Sequence, residues 1–379
     1  MKIMTPGPTQ VRENVRVARS IVTTNPDLDL EFYNFYKETC EKAAKLLHTE
    51  NKVLILGGEG ILGLEAACAS LTEKGDRVLV IDNGIFGEGF SEFVTMYGGE
   101  AVFFKGDRRN PIDVDALKAF LQKDSDFKYA TVVHCDTPSG VLNDMSRICP
   151  LLKEYGIITV VDTVAAMFGV PLEVDAWKID IAIGGSQKVI SAPPGLTLLS
   201  VSDEAFETME KRKEKIAAFY ANILVWKNYY EDKWCPYTPP ISDIIGLRAA
   251  IDNIEADEDI LKRHEVIAEA TREAVIKAGL SLHLESGFSN TVTVIEVPKG
   301  IESSKILKIM KETYGIMIAG CFAELAGKVI RIGHMGENCN EEDVRDTLDS
   351  LDMTLVELGF EIEVPMKITF IEAVKRLGL

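Results

Sequence analysis

No run in the 379 residues approaches the ~18–20 consecutive apolar residues that a membrane-spanning helix needs, so no membrane span is expected. Cysteine is sparse and unpatterned. The seven cysteines are scattered, odd in number and never spaced CxxC, which argues against both a disulfide framework and a zinc site. Basic residues are in deficit: 41 Lys and Arg stand against 59 Asp and Glu, for a formal net charge of -18. A nucleic-acid binder would show a basic face, and none is visible. An anionic substrate would therefore need a local positive site built against the background field. Met1–Gln10 has no basic start followed by an apolar stretch, so no secretory leader is expected. Together with the cysteine usage this points to a reducing, cytoplasmic setting. Internal repeats and low-complexity segments are also missing.

What is present is alternation. From about residue 52, short β-branched runs recur: KVLIL (52–56), RVLVID (77–82), AVFF (101–104), ATVVHCD (130–136), IITVVD (157–162), IDIAIGG (179–185) and LTLLSV (196–201). Amphipathic stretches such as GILGLEAACASLTEKG and DVDALKAFLQKD separate most of them. Continuous apolar strands alternating with helices predict an α/β domain with a mostly parallel sheet of seven strands, covered on both faces, and ligands beyond the strands' carboxyl ends. Residues 242–278 read as one long helix. Three strand-like runs follow, LSLHL (280–284), TVTVIEV (291–297) and KVIRIG (328–333), mixed with helices, and the last 19 residues read as an extended piece plus a helix. That texture predicts a smaller α+β domain. The expected organisation is an N-terminal segment (1–20), a large domain (21–255) and a small C-terminal domain (256–379).

Three places carry chemistry. Lys188 follows the apolar strand IDIAIGG within SQK. A loop lysine is ordinarily a solvated charge, but one set just past a buried strand can be desolvated enough to form an imine. Asp162 ends the strand IITVVD. It is either an N-cap or a carboxylate that keeps a bound pyridine nitrogen protonated, making the ring an electron sink. GGEGILGLEA (57–66) opens a helix after the first strand, where backbone N–H groups favour a phosphate. Glu59 in that loop adds negative charge and argues against it. Gly58, Gly60 and Gly63 have GxGxxG spacing, yet no acidic residue stands at a convincing ribose position for a dinucleotide.

TPGPTQV, DNGIFGEGF, HCDTPSGVL, VVDTVAAMFG, GGSQKVISAPPGL, YTPPIS and KVIRIGHMG, in this order over about residues 4–350, resemble the alanine–glyoxylate and serine–pyruvate aminotransferases, the class V group of fold-type I pyridoxal-phosphate enzymes. The resemblance implies pyridoxal 5′-phosphate as cofactor, with Lys188 as its Schiff-base lysine and proton shuttle and Asp162 as its pyridinium partner. It implies Val164 under the ring, where plain core packing would look the same, and Phe86 stacked on the other face, where a core Phe would also serve. Thr137 corresponds to a partner of the phenolic oxygen, or else is an ordinary turn residue. Gln187 and the N–H groups of Gly60 and Ile61 correspond to phosphate ligands, with Thr238 supplied by the neighbouring subunit of a homodimer. Arg331 corresponds to the clamp on the substrate carboxylate, and it lies inside an apolar strand where a surface salt bridge would be out of place. Gly7 corresponds to a close backbone approach to substrate. No metal is implied.

The chain also departs from the family pattern. Glu59 or Ile61 stands where a Ser or Thr is usual in the phosphate loop, and Cys235, with Tyr237 nearest, stands where many members have a tyrosine before the threonine of YTPP. TTNPDLDLEF lacks a basic pair common in the early segment, so substrate choice transfers least. His134 and His334 are expected to be structural, since Lys188 makes a second base unnecessary. The expected activity is transfer of an amino group from a small amino acid (alanine, serine or aspartate type) to a 2-oxo acid such as glyoxylate or pyruvate. The alternatives are a 2-aminoethylphosphonate-type transaminase, a lyase of the same cofactor, or a catalytically silent binding protein on the same fold.

Overall fold

The computed structural model describes residues 1–379. Seven strands form the central sheet: β1 (Lys52–Gly57), β2 (Arg77–Asp82), β3 (Glu100–Lys105), β4 (Tyr129–Val133), β5 (Ile158–Asp162), β6 (Ile181–Gly185) and β7 (Leu196–Val201). Their order is β1-β7-β6-β5-β4-β2-β3. Only β7 runs against its neighbours; the other pairings are parallel. Burial explains the sequence pattern. Strands β4 to β7 are buried along their whole length, so they read as unbroken apolar runs, whereas β3, at the sheet edge, begins and ends on exposed Glu100 and Lys105.

Helix α1 (Gly60–Leu71) follows β1, and its buried positions are mostly small: Gly60, Gly63, Ala66, Ala67, Ala69 and Ser70. The reason is close approach to the sheet. A Cβ on Gly63 would fall 2.5 Å from Ile183 Cγ2 on β6 and 2.7 Å from Thr197 Oγ1 on β7. Helix α2 (Ile85–Met96) follows β2 in the same manner.

The expected long helix is two: α3 (Ile241–Glu255) and α4 (Ile260–Lys277). Asp257, Glu258 and Asp259 cause the break. Acidic residues oppose the negative end of a helix and suit the start of the next one. Asp257 also forms an ion pair with Arg263, one turn into α4. Residues 280–284 form no strand. They are tied to strand β8 (Val292–Glu296) by two hydrogen bonds, His283 N–H to Val294 O (3.0 Å) and Glu296 N–H to Ser281 O (2.9 Å), because the chain turns at Gly279 before them and at Gly287 after. Strand β8 pairs antiparallel with β9 (Val329–Gly333).

Buried apolar side chains gather in two clusters. The larger, of 77 residues, surrounds the seven-stranded sheet. The smaller, of 24, is drawn from residues 266–374 plus a single outsider, Met4. Met4 is there because the N-terminal stretch is stitched across the molecule. Lys2–Ile3 pairs with Ile316–Met317, Gly333 N–H donates to Met4 O (2.8 Å), and Thr9 N–H donates to Gln187 O (3.0 Å). Residues 2–9 thus tie the second core to the loop that carries Lys188. Gly63→Ala is expected to lower stability by about 1–3 kcal/mol through overpacking of α1 on the sheet, measured as a shift in the urea unfolding midpoint.

Candidate active site

Parallel strands put their last residues on one edge, and the chemistry gathers there. Asp162 is the final residue of β5. Lys188 lies in the loop that follows β6, and Phe86 in the first turn of α2. A cavity of about 100 Å³ opens between them, lined by Glu59, Gly60, Ile61, Leu64, Phe86, Cys135, Thr137, Asp162, Val164, Ala165, Gln187 and Lys188. Eight of the residues anticipated from sequence line it. Of the other three, Arg331 bonds to Thr137 O and Gly7 packs against Lys188, while Thr238 is exposed and does not line it.

The Asp162 side chain is 5% exposed and accepts one hydrogen bond, from Val164 N–H at 2.8 Å. Burial pushes its carboxyl up to about 7; the Val164 N–H and the charge on Lys188 pull the other way. Burial likewise brings the Lys188 amine down to about 8, helped by the positive charge of Arg331 and opposed by Asp162. Lys188 Nζ donates to Pro6 O at 2.6 Å. The N-terminal stretch passes so close that only glycine fits beside it: Gly7 has φ +108°, and a Cβ there would fall 2.5 Å from Lys188 Nζ. Gly60 meets the same limit on the other side, where a Cβ would fall 2.6 Å from Val164 Cγ2.

Arg331, in β9, is 8% exposed. Its Nε–H donates to Gly320 O (2.7 Å) and an Nη1–H to Thr137 O (3.2 Å), and its guanidinium lies 6.0 Å from the Phe322 ring centre. No carboxylate forms an ion pair with it, so a buried cation is held in place by carbonyls beside the cavity wall. Phe322 also meets Phe86 edge-on, with centroids 6.2 Å apart.

Some contributors were missed in the sequence. Asp136 is fully buried and accepts from Phe86 N–H (3.0 Å) and Ser139 Oγ–H (2.8 Å), which fixes the start of α2. Its signal was its place in HCDTPSG. The Pro6 carbonyl and Phe322 gave no signal, since each reaches the site from far along the chain. At the α1 end, Gln187 Nε2–H donates to Glu59 Oε2 at 2.9 Å. His134 is buried beside Trp177, His334 Nε2 is within 2.8 Å of Thr293 Oγ1, and neither lines the cavity.

A doubly covered, mostly parallel sheet with a desolvated amine and a desolvated acid at one edge defines an α/β enzyme built for amine chemistry. Comparison with known proteins narrows the class. Residues 11–344 match the model of the class-V aminotransferases. An uncharacterised aminotransferase of Methanocaldococcus jannaschii is 38% identical over 365 residues, covering 95% of this chain and 94% of that protein. The serine–glyoxylate aminotransferase of Methylorubrum extorquens is 30% identical over 375 residues, covering 95% and 92%. The crystal structure of pyridoxamine–pyruvate aminotransferase from Mesorhizobium loti superposes with a TM-score of 0.95 at 29% identity, covering 100% of this chain and 98% of that one. The chain belongs to the class-V aminotransferase family and is a transaminase with the fold-type I architecture.

The shift on Asp162 makes a prediction about stability. Below its ordinary 3.8 the carboxyl is neutral in folded and unfolded chains alike. As pH rises from there through about 7 the unfolded chain loses its proton first, so the folded state loses stability, and the penalty is complete above about 7. Without ligand, Asp162→Asn is therefore expected to be more stable than the parent at pH 8, by on the order of 2–4 kcal/mol, and equal to it near pH 4. Urea unfolding at both pH values measures this.

Proposed function

We propose that this chain transfers an amino group to a short 2-oxo acid through a pyridoxal ring seated in the cavity between Phe86 and Val164. The observation that carries this reading is the meeting of Lys188 with Asp162: a half-buried lysine with a desolvated amine and a buried carboxylate, neither in an ion pair, facing one small cavity. When bound, a pyridoxal ring supplies an electron sink for the bond being broken. Asp162 holds a proton on the ring nitrogen, and its carboxylate form gains the partner that burial otherwise denies it. Lys188, brought down to about 8, is partly free base near neutrality and can take a proton from the carbon that bears nitrogen and return it elsewhere. Arg331 holds the carboxylate of the oxo acid in its planar fork, with Thr137 and Gly320 fixing the fork's orientation. Phe86 and Val164 cover the ring faces. A homodimer in which Thr238 of one chain reaches the other's site is part of the proposal, and the exposure of Thr238 supports it.

The relatives support short acceptors: their names specify glyoxylate in one case and pyruvate in the other, with donors as different as serine and pyridoxamine. Pyridoxal 5′-phosphate is the cofactor the family resemblance implies. The residues at the ring end fit it. Glycines at 7 and 60 leave room where any side chain would collide with Lys188 or Val164, and Asp162 waits without a cation. The residues at the phosphate end do not fit, because the cup opens on the Glu59 carboxylate.

Lys188→Ala is expected to reduce amino transfer to 2-oxo acids by roughly a thousandfold or more while leaving the unfolding transition cooperative. Arg331→Lys keeps the charge and loses the fork. It is expected to raise the KM for the oxo acid by on the order of 10–100-fold with a smaller change in kcat, measured in steady-state assays.

A further inference from the structure

We infer that the ring this site accepts is the unphosphorylated one, so that pyridoxamine is an amine substrate that enters and leaves, an inference that rests on the pyridoxal-ring reading above. Four features meet at the end of the cavity nearest the start of α1. The Glu59 carboxylate lines the cavity and caps no backbone N–H of its own helix. Gln187 is 6% exposed, and one N–H of its Nε2 donates to Glu59 Oε2 at 2.9 Å. That bond fixes the orientation of the amide, since the flipped form would set two acceptors against each other. Gln187 Oε1 is consequently a buried acceptor with no partner. Finally, the cavity wall carries a single cation, Lys188, against two carboxylates, Glu59 and Asp162.

A phosphate ester is dianionic or nearly so at neutral pH, and it offers acceptors only. Placed here it would meet a carboxylate and an amide oxygen, both also acceptors, with like charges at close range in a partly desolvated site. The Gln187 amide, which could otherwise turn a donor to it, is already engaged by Glu59. A hydroxymethyl group has the opposite character. Its O–H donates to Glu59 or to the orphaned Gln187 Oε1, and its oxygen accepts from the free N–H groups at the start of α1, Gly60 and Ile61. The end of the cavity is thus built for a neutral hydroxyl.

With pyridoxamine as substrate the reaction closes on itself. Its amine condenses with the carbonyl of the 2-oxo acid and releases water. Lys188 removes a proton from the ring's side-chain methylene and a proton is delivered to the α-carbon of the acid, so the carbon–nitrogen double bond moves from the acid to the ring side. Water adds there and releases an amino acid and pyridoxal. The amine carbon is oxidised to an aldehyde and the oxo carbon is reduced by the same electron pair, with no outside oxidant.

The test compares pyridoxamine with pyridoxamine 5′-phosphate as amino donors to pyruvate, and pyridoxal with pyridoxal 5′-phosphate as ligands followed by imine absorbance, in the purified full chain and in Glu59→Gln and Glu59→Thr. The expected result is a kcat/KM at least roughly 100-fold higher for the unphosphorylated amine, with either substitution narrowing that preference by about tenfold or more through relief of the like-charge contact. Retention of stoichiometric pyridoxal 5′-phosphate with turnover of ordinary amino acids, and no preference for the unphosphorylated ring, would overturn the inference and leave the transaminase reading standing. An equal preference in parent and both variants would remove Glu59 as its cause and overturn it too. Failure of either ring to form an imine or accept an amino group would overturn the pyridoxal reading itself.

Discussion

The site depends on two charges that water has been kept from. Lys188 and Asp162 lie at the edge of a sheet whose central strands are buried throughout, and neither forms an ion pair, although each feels the other's charge. Left alone, each shifts toward its neutral form: the amine down to about 8, the acid up to about 7. That costs stability, and under the proposed function it readies both groups for a ring that brings a basic nitrogen to one and an electrophilic carbon to the other. Burial at functional edges of this kind is a general way to set protonation states.

The rest of the fold holds this arrangement in place. Glycine at 63 lets α1 lie against β6 and β7, which brings its first turn to the cavity. The N-terminal stretch is fastened at one end to Ile316–Met317 and at the other to Gln187, and between these it lays the Pro6 carbonyl on the Lys188 amine. Arg331 reaches the cavity wall from β9, whose residues divide between the two apolar clusters: Val329 belongs to the larger, Ile330 and Ile332 to the smaller. An acidic protein thereby holds one buried guanidinium beside the cavity, bonded to carbonyls and in no ion pair with a carboxylate.

The sheet was legible because fully buried strands leave unbroken apolar runs, and Lys188, Asp162 and Arg331 were legible because each stands at a strand where a charge is out of place. The break between α3 and α4 was readable in principle from Asp257, Glu258 and Asp259, but helical periodicity on both sides masked it. Residues 280–284 alternate like a strand and yet keep only two bonds to β8, since turns on either side are fixed by glycines. The roles of Asp136 and Phe322 depend on contacts between distant segments, for which a single sequence has no signal. Glu59 lies between these cases. Its charge was visible as a misfit in a phosphate loop, but only the bond from Gln187, 128 positions along the chain, shows that the misfit is built in.

The most direct measurement is covalent. Pyridoxal is added to the full chain, the mixture is reduced with borohydride, and the modified peptide is identified by mass spectrometry. One pyridoxyl group per chain is expected, on Lys188, and none when the chain is unfolded before reduction at the same low pyridoxal concentration. A label spread over surface lysines with Lys188 unmodified would contradict it.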